Sequence, residues 1–248
     1  DIGFNEAATG AGPDLWVAWQ SAIGYSLQLY FDFSSYSDMA IGLGGMFGLD
    51  LPINFNRPYH ATTIRDFWRR WHITLSSFFR DYVYVPLGGS RQALALTCLT
   101  AFGTMLLCGL WHGAGWTFIA WGALHGLAIV INRLWAAHCP QLHRWLSWLI
   151  TLGFVCACWV LFRAESFAAA DIMFRSMFIG TRGVPDNDGL LLICIATTFA
   201  IFGPTNIEIA ARNSIPERVT TVLIALLLVS VCLRVGYGRE IEFIYFQF

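Results

Sequence analysis

Two histidines occupy positions from which they could move a proton. His112 stands in a Trp-His-Gly-Ala-Gly run between two apolar segments, and His72 follows a run of arginines and tryptophans. A neutral imidazole is the usual general base near pH 7, and burial favours that neutral form. The sequence has neither a Gly-x-Ser-x-Gly elbow nor a His-Glu-x-x-His pair, which disfavours a serine hydrolase and a zinc hydrolase. We therefore predict general-base chemistry at His112, with His72 as the second candidate.

The other histidines and the cysteines are expected to have structural or surface roles. His60, His138 and His143 lie in polar connections, where exposed histidines are common. His125 lies inside an apolar segment, where a buried histidine commonly hydrogen-bonds to a neighbouring helix. The seven cysteines lie mostly in apolar runs without zinc-ligand spacing, so no metal site is predicted.

Charged side chains provide candidates for substrate binding. All 15 basic residues are arginine, which excludes a Schiff-base lysine and a P-loop lysine. Arg69 and Arg70 could hold a phosphate-bearing donor because guanidinium groups match phosphate geometry, and snorkelling to lipid headgroups is the alternative for each. Asp32 and Asp38, with three serines between them, lie in an otherwise apolar neighbourhood. They face either the bundle interior or a wet cavity, or they lie among headgroups at a helix end.

The composition indicates that these residues are positioned by a membrane protein. The chain is 56% hydrophobic and 12% charged, with a mean hydropathy of +0.57, whereas average soluble domains carry about 25% charged residues. A helical crossing of a bilayer takes about 20 apolar residues. The apolar segments are residues 15–33, 93–110, 117–131, 146–162, 189–202 and 219–233. We predict an all-α polytopic membrane protein.

A polar segment, residues 56–90, separates two of the apolar ones. The threonines before Ile64 predict a helix that begins near that residue. Apolar side chains then recur at spacings of three and four, with the arginines mostly on the opposite side. The apolar positions are Phe67, Trp71, Leu75 and Phe78. Arginines are most concentrated between Arg57 and Arg91, which predicts a cytoplasmic location for this segment.

A break in the helical structure is predicted beside His112. The apolar segments on its two sides are each slightly short for a straight crossing, which favours two helices over one long helix. Non-helical backbone at membrane depth is tolerated only where protein or a water-filled cavity surrounds it. Gly113 and Gly115 would therefore present His112, beside Trp111, to such a cavity.

Four runs of sequence, in order along the chain, resemble a known family. They are YFDFSSYSDMAIGLG, FNRPYHATTIRDFWRRWHITLSSFFRDYVYVPLGG, GLWHGAGWTFIAWGALHG and the terminal YFQF. These runs resemble the membrane-bound O-acyltransferase superfamily, in the branch of the bacterial alginate O-acetylation proteins. The resemblance extends from Trp16 to Arg163 and returns at the C-terminus.

The resemblance implies a fold and a site. Tilted transmembrane helices and short interfacial or re-entrant helices would surround a funnel-like cavity, with residues 56–90 lining its cytoplasmic floor. Residues 1–248 would form a single membrane domain equivalent to the C-terminal half of a longer family member. The family histidine regarded as catalytic, in a Leu-Trp-His-Gly element, matches His112. The second family histidine, in a Trp-Arg-Arg-Trp-His element, matches His72.

The function that the resemblance implies is transfer of an acyl group, expected to be acetyl, from a cytoplasmic donor to an exported alginate-like polysaccharide. No permanently bound cofactor is expected, and the donor would be acetyl-CoA or another thioester. The expected partners are membrane lipid, the polysaccharide or an intermediate carrier, and a periplasmic protein of the acetyltransferase type. The expected location is the inner membrane of a bacterial cell, and nucleic acid is not an expected partner.

The alternative is a non-catalytic or transport-type component of a polysaccharide export complex. A transport path predicts polar groups in several spans and internal symmetry. This sequence instead concentrates its polar groups around two histidines and shows no repeat. The sequence therefore favours the acyltransferase.

Overall fold

The computed structural model describes residues 1–205, Glu208 and Val219, and within these residues the chain is helical without strands. Its α-helices are α1 (Ile2–Ala8), α2 (Leu15–Met46), α3 (Ile64–Trp68), α4 (Ile73–Phe79), α5 (Leu94–His112), α6 (Trp116–His138), α7 (Arg144–Arg163), α8 (Phe167–Ile179) and α9 (Asn187–Phe202). Asp1–Phe202 form one compact unit, and a second unit begins at Gly203. The predicted segment 219–233 and the terminal YFQF lie outside the described residues, apart from Val219.

Three of the described helices are long and apolar enough to cross a membrane. They are α5, α6 and α7, with mean hydropathies of 1.8, 1.3 and 2.0 over their most apolar windows. Large apolar side chains on all three are exposed, among them Leu99, Leu127 and Ile150. Such surfaces suit lipid, since monomeric soluble proteins rarely expose large contiguous apolar patches. The prediction of an all-α polytopic membrane protein is confirmed.

The hairpin of α5 and α6 is the most closely packed pair of helices in the described chain. A Cβ atom on Gly109 would collide with the carbonyl oxygen of Phe118, and one on Gly122 would collide with that of Met105. Small residues let helix backbones approach in this way and are typical of helix contacts in membranes. The two glycines therefore fix the hairpin close to its turn, where His112 lies.

Helix α2 runs beyond the apolar segment 15–33, so the alternative that placed a helix end between Asp32 and Asp38 is wrong. The helix continues to Met46. The hydroxyl of Ser35 donates to the carbonyl of Asp32 at 3.1 Å, so this polar residue is satisfied inside the helix. Contacts with α1, α7, α8 and α9 make α2 the central support of the unit. One of them is a 2.7 Å hydrogen bond from the indole of Trp19 to the carbonyl of Met177.

The polar segment is interrupted where one amphipathic helix was predicted. The predicted start at Ile64 is confirmed, with Thr63 accepting a hydrogen bond from the backbone N–H of Asp66. The helix then stops at Trp68, and α4 begins at Ile73. The chain changes direction after Trp68 because two backbone hydrogen bonds of 2.9 Å connect it to the segment before α3. Asn56 N–H donates to Arg70 O, and Ile73 N–H donates to Asn54 O. The prediction of one continuous helix is wrong.

Candidate active site

The turn between α5 and α6 is the first element of the candidate active site. Helix α5 ends at His112, Gly113 follows as its cap, and α6 begins at Trp116. A Cβ on Gly113 would lie 2.7 Å from the ring of Phe118, so the turn is packed against the helix that follows it. The predicted break beside His112 is confirmed.

Aromatic rings surround His112 on several sides. Its ring centroid lies 5.2 Å from that of Trp121, 5.1 Å from that of Phe162 and 4.9 Å from that of Trp111. The side chain is half-buried, and it makes no hydrogen bond to another residue in the described part of the chain. An imidazole in such a place is available to a substrate.

His72 is held at the junction of α3 and α4. Its backbone lies in the left-handed region, with φ 42° and ψ 57°. This conformation is uncommon for a residue other than glycine and is concentrated at functional sites. The Nδ1 atom lies 3.1 Å from Oδ1 of Asn54. The ring of Phe33, from α2, packs edge-to-face on the imidazole with centroids 4.7 Å apart.

The hydrogen bonds of Asn54 show which nitrogen of His72 carries the proton. The backbone N–H and the hydroxyl of Thr74 donate to Oδ1 of Asn54 at 3.2 and 2.9 Å, while Nδ2 of Asn54 donates to the hydroxyl of Ser37 at 3.2 Å. The amide oxygen therefore faces Nδ1 of His72, so Nδ1 donates and the neutral ring has its lone pair on Nε2. Burial, with a smaller contribution from His112, lowers the pKa of His72 to about 3, which favours this neutral form.

The two histidines meet around Trp111. The centroid of the indole is 6.4 Å from that of His72 and 4.9 Å from that of His112. The structure thus brings together the two histidines that the sequence singled out, and it places the predicted binding residue Trp111 between them. Their catalytic roles stay predictions.

A cavity of about 220 Å³ lies beside α3, between the polar segment and the α5–α6 hairpin. Its lining combines guanidinium groups with apolar side chains. Among the lining residues are Arg65, Arg69, Arg80, Arg133, Trp68 and Cys108. Cys108 is one helical turn before His112 on α5. One wall of this arginine-lined cavity is therefore the helix that ends at the candidate base.

The arginines of the cavity are incompletely paired. Arg133 donates to the hydroxyl of Tyr84 at 3.0 Å, whereas Arg65 and Arg69 have no acidic partner among the described residues. Burial, followed by the guanidinium groups of Arg133 and Arg69, lowers the pKa of Arg65. Like charges that crowd in this way would be relieved by an anion.

The remaining predicted binding residues have different surroundings. Arg70 forms an ion pair with Asp66 at 2.9 Å and does not line the cavity. Asp32 lies on α2, one residue before the Phe33 that contacts His72. Arg69 does line the cavity. The binding roles of all three stay predictions, and the geometry favours Arg69.

The surroundings of the other histidines match the sequence predictions in three cases out of four. His125 is fully buried and accepts a hydrogen bond from an indole of α3, as expected. His138 and His143 are exposed, also as expected. His60 is half-buried and bonds the carbonyl of Ile201, because α9 packs on the short helix that contains it, so the expected exposure is wrong. No group of three His, Cys, Asp or Glu side chains suited to a metal ion occurs among the described residues.

Sequence reasoning missed Asn54, Arg65 and Arg133 as members of the site. Asn54 stands in a plain Leu-Pro-Ile-Asn-Phe run, and no local pattern links it to a histidine. Arg133 was assigned to a connection because the apolar segment ends at residue 131, whereas α6 continues to His138. Arg133 lies inside α6 rather than at its end, and a charged residue within an apolar helix usually pairs with a neighbour or lines a cavity.

Comparison with known proteins gives the class to which this fold and site belong. The pattern of MBOAT, the membrane-bound O-acyltransferase family, matches residues 14–170. The matched range contains both histidines and every residue named above as lining the cavity. The chain belongs to this family.

Three individual proteins are similar to this chain in sequence. The chain is 46% identical over 188 residues to the peptidoglycan O-acetyltransferase of Helicobacter pylori, which covers 74% of this chain and 35% of that protein. It is 51% identical over 162 residues to the probable alginate O-acetylase of Pseudomonas aeruginosa, covering 65% of this chain and 31% of that protein. The corresponding protein of Pseudomonas putida is 40% identical over 258 residues, with 93% and 53% covered. The chain thus spans about a third to a half of the length of these relatives.

Proposed function

We propose that the protein transfers an acyl group from a thioester to a hydroxyl group of a polysaccharide, with His112 as the general base. The observation that carries the proposal is the meeting of His72 and His112 around Trp111, in a chain of the O-acyltransferase family. The half-buried, aromatic surroundings of His112 support its role, because they leave a neutral imidazole open to a substrate.

The proposed reaction is one balanced displacement. His112 accepts the proton of the attacking hydroxyl while the hydroxyl oxygen bonds to the acyl carbon. The carbon–sulfur bond of the thioester breaks, and the proton passes from His112 to the departing sulfur. The products are an ester and a free thiol. General-base assistance of this kind contributes about 10²–10⁴ to the rate.

His72 has a different role in this proposal. Because Nδ1 donates to Asn54, the neutral ring offers a lone pair at Nε2 and no second proton. It can accept a hydrogen bond from a hydroxyl, but in this tautomer it cannot donate one to a developing oxyanion. His72 therefore orients the acceptor, and a polysaccharide, with neighbouring hydroxyl groups, offers one to His112 and another to His72.

The donor is proposed to be acetyl-CoA or another phosphate-bearing thioester, which binds only during turnover. The arginine-lined cavity supports this, since Arg65 and Arg69 lack acidic partners among the described residues and guanidinium groups bind phosphate through paired hydrogen bonds. Cys108 lines the cavity one turn from His112, so a donor anchored by its phosphates could extend its thioester toward the base.

The acceptor and partners are proposed from the relatives. Their names refer to peptidoglycan and alginate, which supports an exported polysaccharide as the final acceptor. A periplasmic protein of the acetyltransferase type would guide the polysaccharide on the far side of the membrane. The proposed location is the inner membrane of a bacterium, with lipid around α5–α7 and the arginine-lined cavity facing the cytoplasm.

The decisive experiment compares two histidine variants of the intact protein. Membranes from cells that express the protein with its partner proteins receive acetyl-CoA labelled in the acetyl group, and label in the polysaccharide is counted. His112→Ala is expected to lower transfer by about 10²–10⁴ because the general base is lost. His138→Ala is the matched control, since His138 is exposed on α6, and it is expected to retain activity.

Both variants must accumulate in the membrane as folded protein, which fluorescence-detected gel filtration in detergent would establish. Near-normal transfer by folded His112→Ala would remove His112 from the mechanism. Absence of transfer in the unmodified protein with its partners would contradict the acyltransferase itself and favour the transport-type alternative.

A further inference from the structure

His125 is a buried polar residue that the proposed reaction does not use. Its side chain is fully buried in α6. Its Nδ1 lies 3.2 Å from Nε1 of Trp68, and an indole nitrogen can only donate. Nδ1 is therefore the acceptor, and the neutral ring carries its proton on Nε2.

The second nitrogen of His125 has no hydrogen-bond partner within the described structure. The ring is enclosed by aromatic side chains instead, with centroids 4.7 Å from Trp121 and 5.3 Å from Phe154. A buried donor without a partner is unfavourable, and an apolar residue of similar size would avoid that penalty. The hydrogen bond to Trp68 is therefore what this imidazole provides and an apolar residue could not.

That bond fixes a side chain of the arginine-lined cavity. Trp68 lines the cavity beside Arg65 and Arg69, and it is the last residue of α3. The chain leaves the helix directly after it and turns toward His72. An indole at the end of a five-residue helix depends on tertiary contacts for its orientation, and the bond to His125 is the one that fixes its N–H group.

The same cluster extends to the candidate base. The ring of Trp68 packs edge-to-face on Trp121 with centroids 5.7 Å apart, and Trp121 in turn packs on His112 at 5.2 Å. His125 contacts both tryptophans. One imidazole thereby orders the ring that lines the cavity and touches the ring that supports His112.

We propose that His125 is a positioning residue, which acts as a fixed hydrogen-bond acceptor for Trp68 and so shapes the donor-binding wall of the arginine-lined cavity. It takes no part in proton transfer. This inference rests on the proposed function to the extent that the cavity holds the donor. It adds a residue whose effect is on donor binding rather than on the chemical step.

The test uses variants that differ in the acceptor at position 125. His125→Asn keeps a side-chain oxygen near the position of Nδ1, whereas His125→Leu has similar bulk and no acceptor. Trp68→Phe removes the donor and keeps an aromatic ring. Two quantities are measured for the intact protein in its membrane: the KM for acetyl-CoA in acyl transfer, and the Kd of a non-reactive thioether analogue of acetyl-CoA.

His125→Leu and Trp68→Phe are each expected to raise KM and Kd by roughly fivefold to tenfold, the value of one hydrogen bond, with kcat changed less than about threefold. The double variant is expected to be no weaker than either single one, because both remove the same bond. His125→Asn is expected to stay within about twofold of the unmodified protein. Simple loss of folded protein would lower the maximal rate without moving KM or Kd.

Equal constants for His125→Asn and His125→Leu would overturn the inference, as would additive effects in the double variant. If His125→Leu does not fold, Trp68→Phe tests the same bond from its other end. The analogue separates this inference from the proposed function. If the unmodified protein does not transfer acyl groups but the variants change Kd as expected, only the proposed acyltransferase activity is wrong. If the unmodified protein is active but the variants leave KM and Kd unchanged, only the role of His125 is wrong. If the unmodified protein neither transfers nor binds the analogue, both are wrong.

Discussion

The histidine pair and the arginine-lined cavity are built on the same elements, the polar segment and the α5–α6 hairpin. They differ in their surroundings, which are neutral and aromatic for the histidines and positively charged in the cavity. His72 and His112 lie among aromatic rings, and His72 is oriented by a hydrogen bond to the neutral amide of Asn54. The cavity gathers positive charge, and Arg65 and Arg69 lack acidic partners among the described residues.

Under the proposed function, this difference would keep proton transfer and anion binding apart. A guanidinium group beside an imidazole disfavours its protonated form and so weakens it as a base. The ring neighbours of His112 are Trp111, Trp121 and Phe162. Cys108, one turn earlier on α5, already lines the cavity. Variants in the first region should therefore change the chemical step, and variants in the second should change donor binding.

The largest effect expected beyond loss of the base itself comes from Asn54. Asn54→Ala removes the oxygen that holds Nδ1 of His72 and leaves both the tautomer and the ring orientation undefined. We expect kcat for acyl transfer to fall by about 10–100-fold, since small errors of position have costs of this size. The KM for acetyl-CoA should change little, because Asn54 does not line the cavity. Initial rates at several acetyl-CoA concentrations give both constants.

Asn56→Ala is the matched control for this prediction. Asn56 is exposed, and its 2.9 Å bond to Arg70 uses the backbone N–H, which the variant retains. It is expected to keep kcat within about twofold, as surface substitutions usually do. Rates are normalised to folded protein. A folded Asn54→Ala variant with unchanged kcat would show that this amide does not position His72.

Much of the fold and the centre of the site could be predicted from the sequence. Apolar length located α5, α6 and α7, and the glycines after His112 located the turn that presents it. His72 and His112 stand out in the sequence by residue type and motif, and their catalytic roles stay predictions. These features depend on local composition, which the sequence states directly.

What could not be predicted depends on tertiary contacts. The spacing of Phe67, Trp71 and Leu75 fits one helix, and all three are indeed buried, yet the helix breaks between them. The break requires backbone bonds from residues 54 and 56, which no helical pattern encodes. Neighbouring arginines were likewise indistinguishable in sequence, and only the fold separates Arg69, which lines the cavity, from Arg70, which pairs with Asp66.

A smaller effect, and a different kinetic signature, is expected in the cavity. Arg65→Gln and Arg69→Gln each remove a guanidinium group that has no acidic partner among the described residues. Each is expected to raise the KM for acetyl-CoA by about fivefold to tenfold, equivalent to the loss of one typical hydrogen bond, while kcat stays within about twofold. Steady-state kinetics over a range of donor concentrations measures both constants.

Arg70→Gln is the control in the same short stretch of chain. Its guanidinium group pairs with Asp66 outside the cavity, so the KM for acetyl-CoA should stay within about twofold of the unmodified value. Equal increases in KM for all three variants would indicate a general attraction of anions to a basic surface. A fall in kcat without a change in KM for Arg65→Gln would break the proposed separation of the two regions.

The last expected effect concerns stability rather than kinetics and again distinguishes the two regions. The pKa of His72 is lowered to about 3 in the folded protein, against about 6.5 in an unfolded chain. As the pH falls from 7 to 5, the unfolded chain binds a proton at this histidine and the folded protein does not, so folding becomes less favourable. His72→Gln removes this titration. The unmodified protein should therefore lose stability relative to the variant by about 1–2 kcal/mol at pH 5.

Thermal unfolding midpoints of the purified proteins in detergent, measured from pH 8 to pH 5, test this sign and size. The difference in unfolding midpoint between the unmodified protein and His72→Gln should be constant above pH 7. Below pH 7 the midpoint of the unmodified protein should fall relative to that of the variant. For Arg65→Gln, the difference in unfolding midpoint from the unmodified protein should be the same from pH 8 to pH 5. Arginine keeps its charge in the folded and unfolded protein over this range. A constant difference for His72→Gln as well would mean that His72 is as accessible to protons as the exposed histidines, and the neutral, amide-held imidazole would no longer distinguish the histidine pair from the cavity.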